Sequence, residues 1–153
     1  MVSPPRPVLF ADPLVWLQQS GEKQRLSLEQ LSPQSLAYLG DAVFELYVRT
    51  CYLWPPSRLR DYHGQVVAQV KAENQAALLQ KLLPYLTETE QEMVRRGRNA
   101  TGKCPRRLPL TLYQQATGLE TLLGYLYLRD GQRLQELLQL LNPWDVDSLG
   151  SNP

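Results

Sequence analysis

Histidine occurs once and cysteine twice in 153 residues. His63, Cys51 and Cys104 are too few for a histidine-rich metal centre, a paired-cysteine zinc motif or a disulfide framework. A Ser-His-Asp hydrolase is open only through His63, and the surrounding RDYHGQ supplies no activated serine or cysteine, so His63 reads as a polar or packing residue. Long apolar runs are missing too, since none approaches the ~18 residues of a membrane span. The opening MVSPPRPVLFADP has neither the basic leader nor the apolar stretch of a secretory signal. The expectation is an intracellular, cytoplasmic protein with no membrane partner. Strict alternation of apolar and polar residues, the mark of a half-buried strand, is nearly absent.

What is present is enough apolar side chain to fold: 43% hydrophobic and 20% charged residues with a net charge of +1, in a length typical of one domain. The near-neutral total conceals an uneven distribution. Residues 91–110 hold Arg95, Arg96, Arg98, Lys103, Arg106 and Arg107 against Glu92 alone, a local net charge of +5, while the rest of the chain has ten bases against fourteen acids. A basic island on an acidic background suits focused phosphate binding. A solvated loop with ordinary surface arginines is the other reading of such a run. The three tryptophans and eight tyrosines are scattered without the pattern of a base-stacking platform.

Asp12-Pro13 pairs an N-cap with a proline at the first helical position, and LVWLQQ continues a short leading helix up to Ser20-Gly21. Ser32-Pro33 repeats the signal and opens a central helix of about 20 residues, roughly 30 Å long, which Trp54-Pro55-Pro56 stops. Leu36, Leu39, Val43, Leu46, Tyr47 and Thr50 follow the helical spacing and are expected to form its buried stripe. Ser57 is the expected cap of a third, continuous helix, LRDYHGQVVAQVKAENQAALLQKLL, weakened at Gly64 and ended at Pro84. Thr87-Glu88-Thr89-Glu90 reads as a capping box for a fourth helix ending near Gly97. Gly102, Pro105 and Pro109 make 98–109 a loop. A helix resumes from Thr111 to Arg129 with Leu112, Ala116, Leu119, Leu123 and Leu126 on one stripe and Gly131 as its C-terminal cap, and Arg133 to Leu141 forms a last short helix. The class is all-α. The expected organisation is an N-terminal segment 1–32 whose short helix packs on the domain, a single domain over 33–142, and a flexible tail over 143–153.

Among the acids, Asp41 and Glu45 are four apart on one helix face, about 5 to 6 Å between Cβ atoms, off the apolar stripe. Glu120 is the one charge in TGLETLLGYLYL and shares a face with Thr117 and Gly124. Such a carboxylate is either solvent-exposed, the commoner case for a lone acid, or matched to a cation or a metal. Oxygen ligands of this kind hold the hard divalent metals of phosphoryl chemistry. Gly40 and Gly124 each cost ~1 kcal/mol relative to alanine inside a helix. A close helix crossing would offset that cost and draw Asp41 toward Glu120; ordinary bundle packing would use the same glycines. Cys51 is expected as a small core residue and Cys104 as an exposed loop thiol, neither placed as a nucleophile.

LAYLGDAVFELYVR, residues 36–49, resembles the signature helix of the ribonuclease III nuclease domain, centred on LGDA with an acid four residues after the aspartate. LETLLGYLYL at 119–128 resembles the late helix of the same domain, in which a glutamate precedes an apolar-glycine stretch. RRGRNATGKCPRR at 95–107 is similar to the basic loop of the Mini-ribonuclease III branch, and HGQVVAQVKAENQA at 63–76 to its third-helix pattern. The resemblance spans residues 33–141 and leaves no segment for a double-stranded-RNA-binding domain, as in that branch.

The resemblance implies a homodimeric, single-domain helical ribonuclease III fold. It also implies an endoribonuclease that depends on Mg²⁺, with Mn²⁺ as a substitute, and cleaves double-stranded RNA to products with a 5′ phosphate. Asp41 matches the signature aspartate and Glu120 the glutamate of the late helix, the catalytic and metal-binding pair. Arg95, Arg96, Arg98, Asn99, Lys103, Arg106 and Arg107 match the RNA-contacting loop. Gln34 and Ala37 stand where ordinary ribonuclease III has glutamates and Thr117 where it has an aspartate, a reduced set that the Mini branch resembles. The implied partners are a ribosomal RNA precursor whose large-subunit (23S) ends are matured, a second copy of the chain, and a large-subunit ribosomal protein. The alternative, suggested by the missing acids, is a catalytically impaired RNA-binding or ribosome-associated protein that retains the nuclease fold.

Overall fold

The computed structural model describes Pro13 and residues 28–141. Among these residues there are six α-helices, two single-turn 3-10 helices and no strand, so the all-α expectation holds. The expected leading helix lies outside the described residues apart from Pro13, which is helical. The expected tail over 143–153 lies outside them altogether.

Helix α1, Pro33–Tyr52, starts as the sequence predicts: Ser32 is its N-cap, the Ser32 hydroxyl accepts from the Ser35 N–H at 3.1 Å, and Pro33 takes the first position. Its buried face differs from the expected stripe. Leu36, Ala37, Gly40, Phe44 and Val48 are buried, whereas Leu46 is 41% exposed and Thr50 is exposed. Leu39, Val43 and Tyr47 pack at the margin of the core. The inward face is therefore rotated from the expected one, keeping Leu36 and taking in Ala37, Gly40, Phe44 and Val48.

The expected third helix is two helices, α2 over Leu59–Val70 and α3 over Ala72–Leu82. They are separated at Lys71, whose φ of −62° and ψ of 147° are extended. No glycine or proline makes this break. The Asn74 side-chain amide donates to the Gln69 carbonyl at 2.6 Å and to the Gln69 Oε1 at 3.0 Å. Through these bonds the start of α3 satisfies a carbonyl at the end of α2. Ser57 is not the cap of α2; Arg58 takes that position, with no side-chain cap bond.

Pro84 lies in a 3-10 turn, Leu83–Tyr85, ahead of α4, Glu88–Asn99. Both bonds of the expected capping box are present, from the Glu90 N–H to Thr87 Oγ1 at 3.2 Å and from the Thr87 N–H to Glu90 Oε2 at 2.9 Å. Helix α4 ends at Asn99, two residues beyond Gly97 and near the expected end. Helix α5, Leu110–Arg129, is buried on several faces through Ala116, Leu119, Thr121, Leu122, Leu123, Leu126 and Leu128. Helices α1, α4 and α3 pack most extensively around it and the helix that follows it packs on it to a lesser extent, while α2 rests on α1 and α3. A helix apolar nearly all round belongs at the centre of a bundle. Gly131 is not a C-terminal cap but the first residue of α6, Gly131–Leu140. Asp130 closes α5 and opens α6, its carboxylate accepting from the Arg133 N–H at 3.0 Å. Arg133 also donates to Glu90 Oε1 at 2.8 Å and to the Tyr85 carbonyl at 2.7 Å, pinning α6 to the start of α4.

Candidate active site

The site is built where α1 crosses α5. A β-carbon added to Gly40 would lie 1.7 Å from the Glu120 carbonyl oxygen, and one added to Gly124 would lie 2.0 Å from the Leu36 carbonyl oxygen. Backbone meets backbone on both sides, an approach that only glycine allows. This contact offsets the intrinsic helix cost of the two glycines and places Asp41, next to Gly40, beside Glu120.

Glu120 senses the charge of Asp41. Burial first, and the charge of Asp41 second, push the Glu120 carboxyl up to about 7. A hydrogen bond from Gln75 works in the opposite direction. Burial raises the Asp41 carboxyl as well, with Glu45 adding to the shift. Glu45 itself is held by Arg49 at 2.7 Å. Glu120 is therefore not the solvent-exposed acid that a lone glutamate most often is: it is largely withdrawn from water and set beside a like charge.

Gln75 is the part of this arrangement that the sequence reading missed. It comes from the first turn of α3 and is only 2% exposed. The break at Lys71 gives α3 a start of its own, four residues before Gln75. The signal was in the spacing: Gln75, Leu79 and Leu82 share one buried helix face, and a polar residue on such a stripe needs a polar partner.

The positions lacking acids have other occupations. Ala37 is buried in the core. The Thr117 hydroxyl donates to the Tyr113 carbonyl at 3.0 Å. The Gln34 amide donates to the Ala100 carbonyl at 2.8 Å. Among the described residues no cluster of three or more histidine, cysteine, aspartate or glutamate side chains is placed to hold a metal. Two adjacent carboxylates, one raised by burial and by the other's charge, nevertheless fit a hard divalent cation: Mg²⁺ keeps several waters and uses one or two protein carboxylates.

The basic residues divide into two sets. Arg95 donates to both oxygens of Glu92, at 2.7 and 2.6 Å. Arg96 is half-buried in a cleft shared with Glu29, Glu88 and Glu92. Arg98, Asn99, Lys103, Arg106 and Arg107 are exposed. The stem of their segment is pressed onto α5, with the Arg98 side chain against Gly118 and Gly97 against Thr121, the neighbour of Glu120. Cys104, expected to be exposed, is half-buried, its thiol 3.4 Å from the carbonyls of Pro105 and Leu108. His63 is exposed and takes no part.

The Ribonuclease III domain family matches residues 34–131. A Mini-ribonuclease 3 from Synechocystis sp. is 58% identical over 132 residues, which are 86% of this chain and 92% of its own. Another, from Synechococcus sp., is 63% identical over 113 residues, covering 74% of this chain and 82% of its own. A crystal structure of a protein from Fusobacterium nucleatum matches with a TM-score of 0.71 and 27% identity, over 77% of this chain and 97% of that one.

Proposed function

The chain belongs to the Mini-ribonuclease 3 branch of the ribonuclease III family and is a ribonuclease III-type endoribonuclease; from that premise we propose that it hydrolyses double-stranded RNA with Mg²⁺ held by Asp41 and Glu120. The observation that carries this reading is the pairing of those two carboxylates across the Gly40–Gly124 crossing, with Glu120 held up near neutrality. Bound there, Mg²⁺, or Mn²⁺ in its place, would lower the pKa of a water and stabilise charge developing on the phosphodiester.

The chain's own residues supply the rest. Gln75 orients the Glu120 carboxylate from its buried side, leaving Asp41 on the exposed side of the crossing. Arg98, Asn99, Lys103, Arg106 and Arg107 contact backbone phosphates beside the cut, with Arg95 and Arg96 at the edge of that surface. Shape, 2′-hydroxyls and phosphates, rather than base edges, select a duplex.

The active unit is a homodimer. Its support is a second apolar stripe on α1, made of Tyr38, 85% exposed, Ala42, also exposed, and Leu46. These residues recur every four positions on the side away from the core and suit a self-complementary contact. Within the duplex class, the substrate we assign is the precursor of large-subunit (23S) ribosomal RNA, aided by a large-subunit ribosomal protein, as the sequence resemblance implies. The test is cleavage of a 5′-labelled long RNA duplex with Mg²⁺, with EDTA, and with Asp41→Asn, resolved on a denaturing gel. Metal-dependent products that vanish in the variant support the reading, and an intact duplex in every lane defeats it.

A further inference from the structure

Gln34 lies at the second position of α1, seven residues before Asp41 and therefore on the same face, about 10 Å along the helix axis. Its Nε2 donates to the Ala100 carbonyl at 2.8 Å, joining residues 66 apart in the chain. Ala100 is the C-cap residue of α4, and its carbonyl has left the helix ladder. A β-carbon on Gly102 would lie 3.8 Å from the same Nε2, so the basic segment passes directly over the Gln34 amide.

The contacts around this bond are continuous. The Thr101 hydroxyl lies 3.2 Å from the Gly97 carbonyl and 2.9 Å from that of Arg98. Thr121 Oγ1, adjacent to Glu120 in the chain, lies 2.8 Å from the Thr117 carbonyl and 3.3 Å from the Pro33 carbonyl, immediately before Gln34. Gly97 in turn is packed on Thr121. The first turn of α1, the end of α4 and the helix carrying Glu120 are thus bound together at one corner.

We propose that Gln34 is a positioning residue that fixes the basic segment beginning at Ala100 in register with Asp41 and Glu120, so that phosphates seated on it deliver the adjacent duplex to the catalytic pair. The chemistry explains why an amide serves where ordinary ribonuclease III has a glutamate. A carboxylate has no proton to donate to the Ala100 carbonyl, and its charge would oppose an incoming phosphate. The position has exchanged an acid for a hydrogen-bond donor.

This role rests on the duplex reading above, so the test has one arm that requires RNA and one that does not. Gln34→Met keeps the length of the side chain and removes the donor. In steady-state cleavage of a long RNA duplex, KM is expected to rise roughly 3- to 10-fold, the net effect of one exposed hydrogen bond. In the same assay kcat stays within about twofold of the parent, as when only ground-state placement is lost. In the free protein, exchange of the hydrogen-bonded amides of Ala100 and Leu108 is expected to quicken while the melting temperature falls by no more than roughly 2 to 4 °C. Unchanged exchange overturns the tether even if the duplex reading stands. Quickened exchange with unchanged KM overturns the link between the tether and the substrate. A parental chain that neither binds nor cuts the duplex overturns the proposed function, and the role of Gln34 in it, whatever the exchange shows.

Discussion

Gly40 of α1 lies so close to Glu120 of α5 that a β-carbon on it would stand 1.7 Å from the Glu120 carbonyl oxygen. The obstacle is main chain, which cannot swing aside, so the helices themselves would have to part and take Asp41 away from Glu120. Gly40→Ala is therefore expected to cost about 3 kcal/mol or more, among the larger effects of single substitutions, and to abolish cleavage. Gly64 is the control: a β-carbon there meets nothing within 4 Å. Gly64→Ala should stabilise by about 0.5 to 1 kcal/mol and leave cleavage intact. Urea unfolding midpoints of the two variants check this, and a Gly40→Ala protein as stable as the parent would refute the crossing.

The raised Glu120 carboxyl makes stability depend on pH in a particular direction. The usual value is 4.5 and the folded value about 7. Between them the unfolded chain has lost a proton that the folded chain keeps, so this group's contribution to stability falls as pH rises through that window and levels off above it. At pH 8 the metal-free fold carries an ionised Glu120 at a cost of about 3 kcal/mol. Glu120→Gln removes this cost and the cleavage activity together. In EDTA its melting temperature should exceed the parent's at pH 8 and nearly equal it at pH 5. Equal values at both pH settings would show that the carboxyl is not raised.

The legible and illegible parts of the molecule separate for physical reasons. The approach of Asp41 to Glu120 is one of two expectations raised by the costly glycines inside α1 and α5, ordinary bundle packing being the other, and the catalytic assignment of the pair is what the family resemblance implies. The capping residues Ser32 and Thr87 were legible because they act on their own next few residues. The inward face of α1 was not. Leu39, Val43, Leu46 and Tyr47 outweigh Ala37 and Gly40 in any hydrophobic count, but the close approach to α5 at Gly40 turns Ala37, Phe44 and Val48 inward with Leu36. The break at Lys71 was hidden because a side-chain amide, Asn74, makes it rather than a glycine or proline. Gly131 misled for the converse reason: Asp130 both ends α5 and caps α6.

Gln75 gives the third prediction. Its hydrogen bond opposes the rise of the Glu120 carboxyl, so Gln75→Leu, of similar bulk and without a donor, should raise that carboxyl further and let protons compete better with the metal. The concentration of Mg²⁺ that half-saturates cleavage at pH 7 should rise roughly tenfold, as for the loss of a side chain that orients a ligand. Most of the loss should be recovered at pH 8.5, where the proton no longer competes. A Mg²⁺ requirement equal to the parent's at both pH values would leave Gln75 with packing alone.

The basic residues should not contribute equally, because they are not equally committed within the protein. Arg95 already places two donors on Glu92, and Arg96 shares a cleft with three glutamates. A phosphate reaching either must compete with a carboxylate already there. Arg98, Lys103, Arg106 and Arg107 are exposed on the segment whose stem rests on the Glu120 helix. Duplex binding can be followed without cleavage in an Asp41→Asn background. There, changing Arg98, Arg106 and Arg107 together to alanine should flatten the slope of log affinity against log salt by about 2 to 3 units, near one for each phosphate that is no longer neutralised. Arg95→Ala should flatten it by well under one unit, since its release also leaves Glu92 unneutralised near the RNA. An equal flattening per arginine in the two variants would mean that Glu92 yields Arg95 to the phosphate on binding, and the duplex would then extend over the outer face of α4.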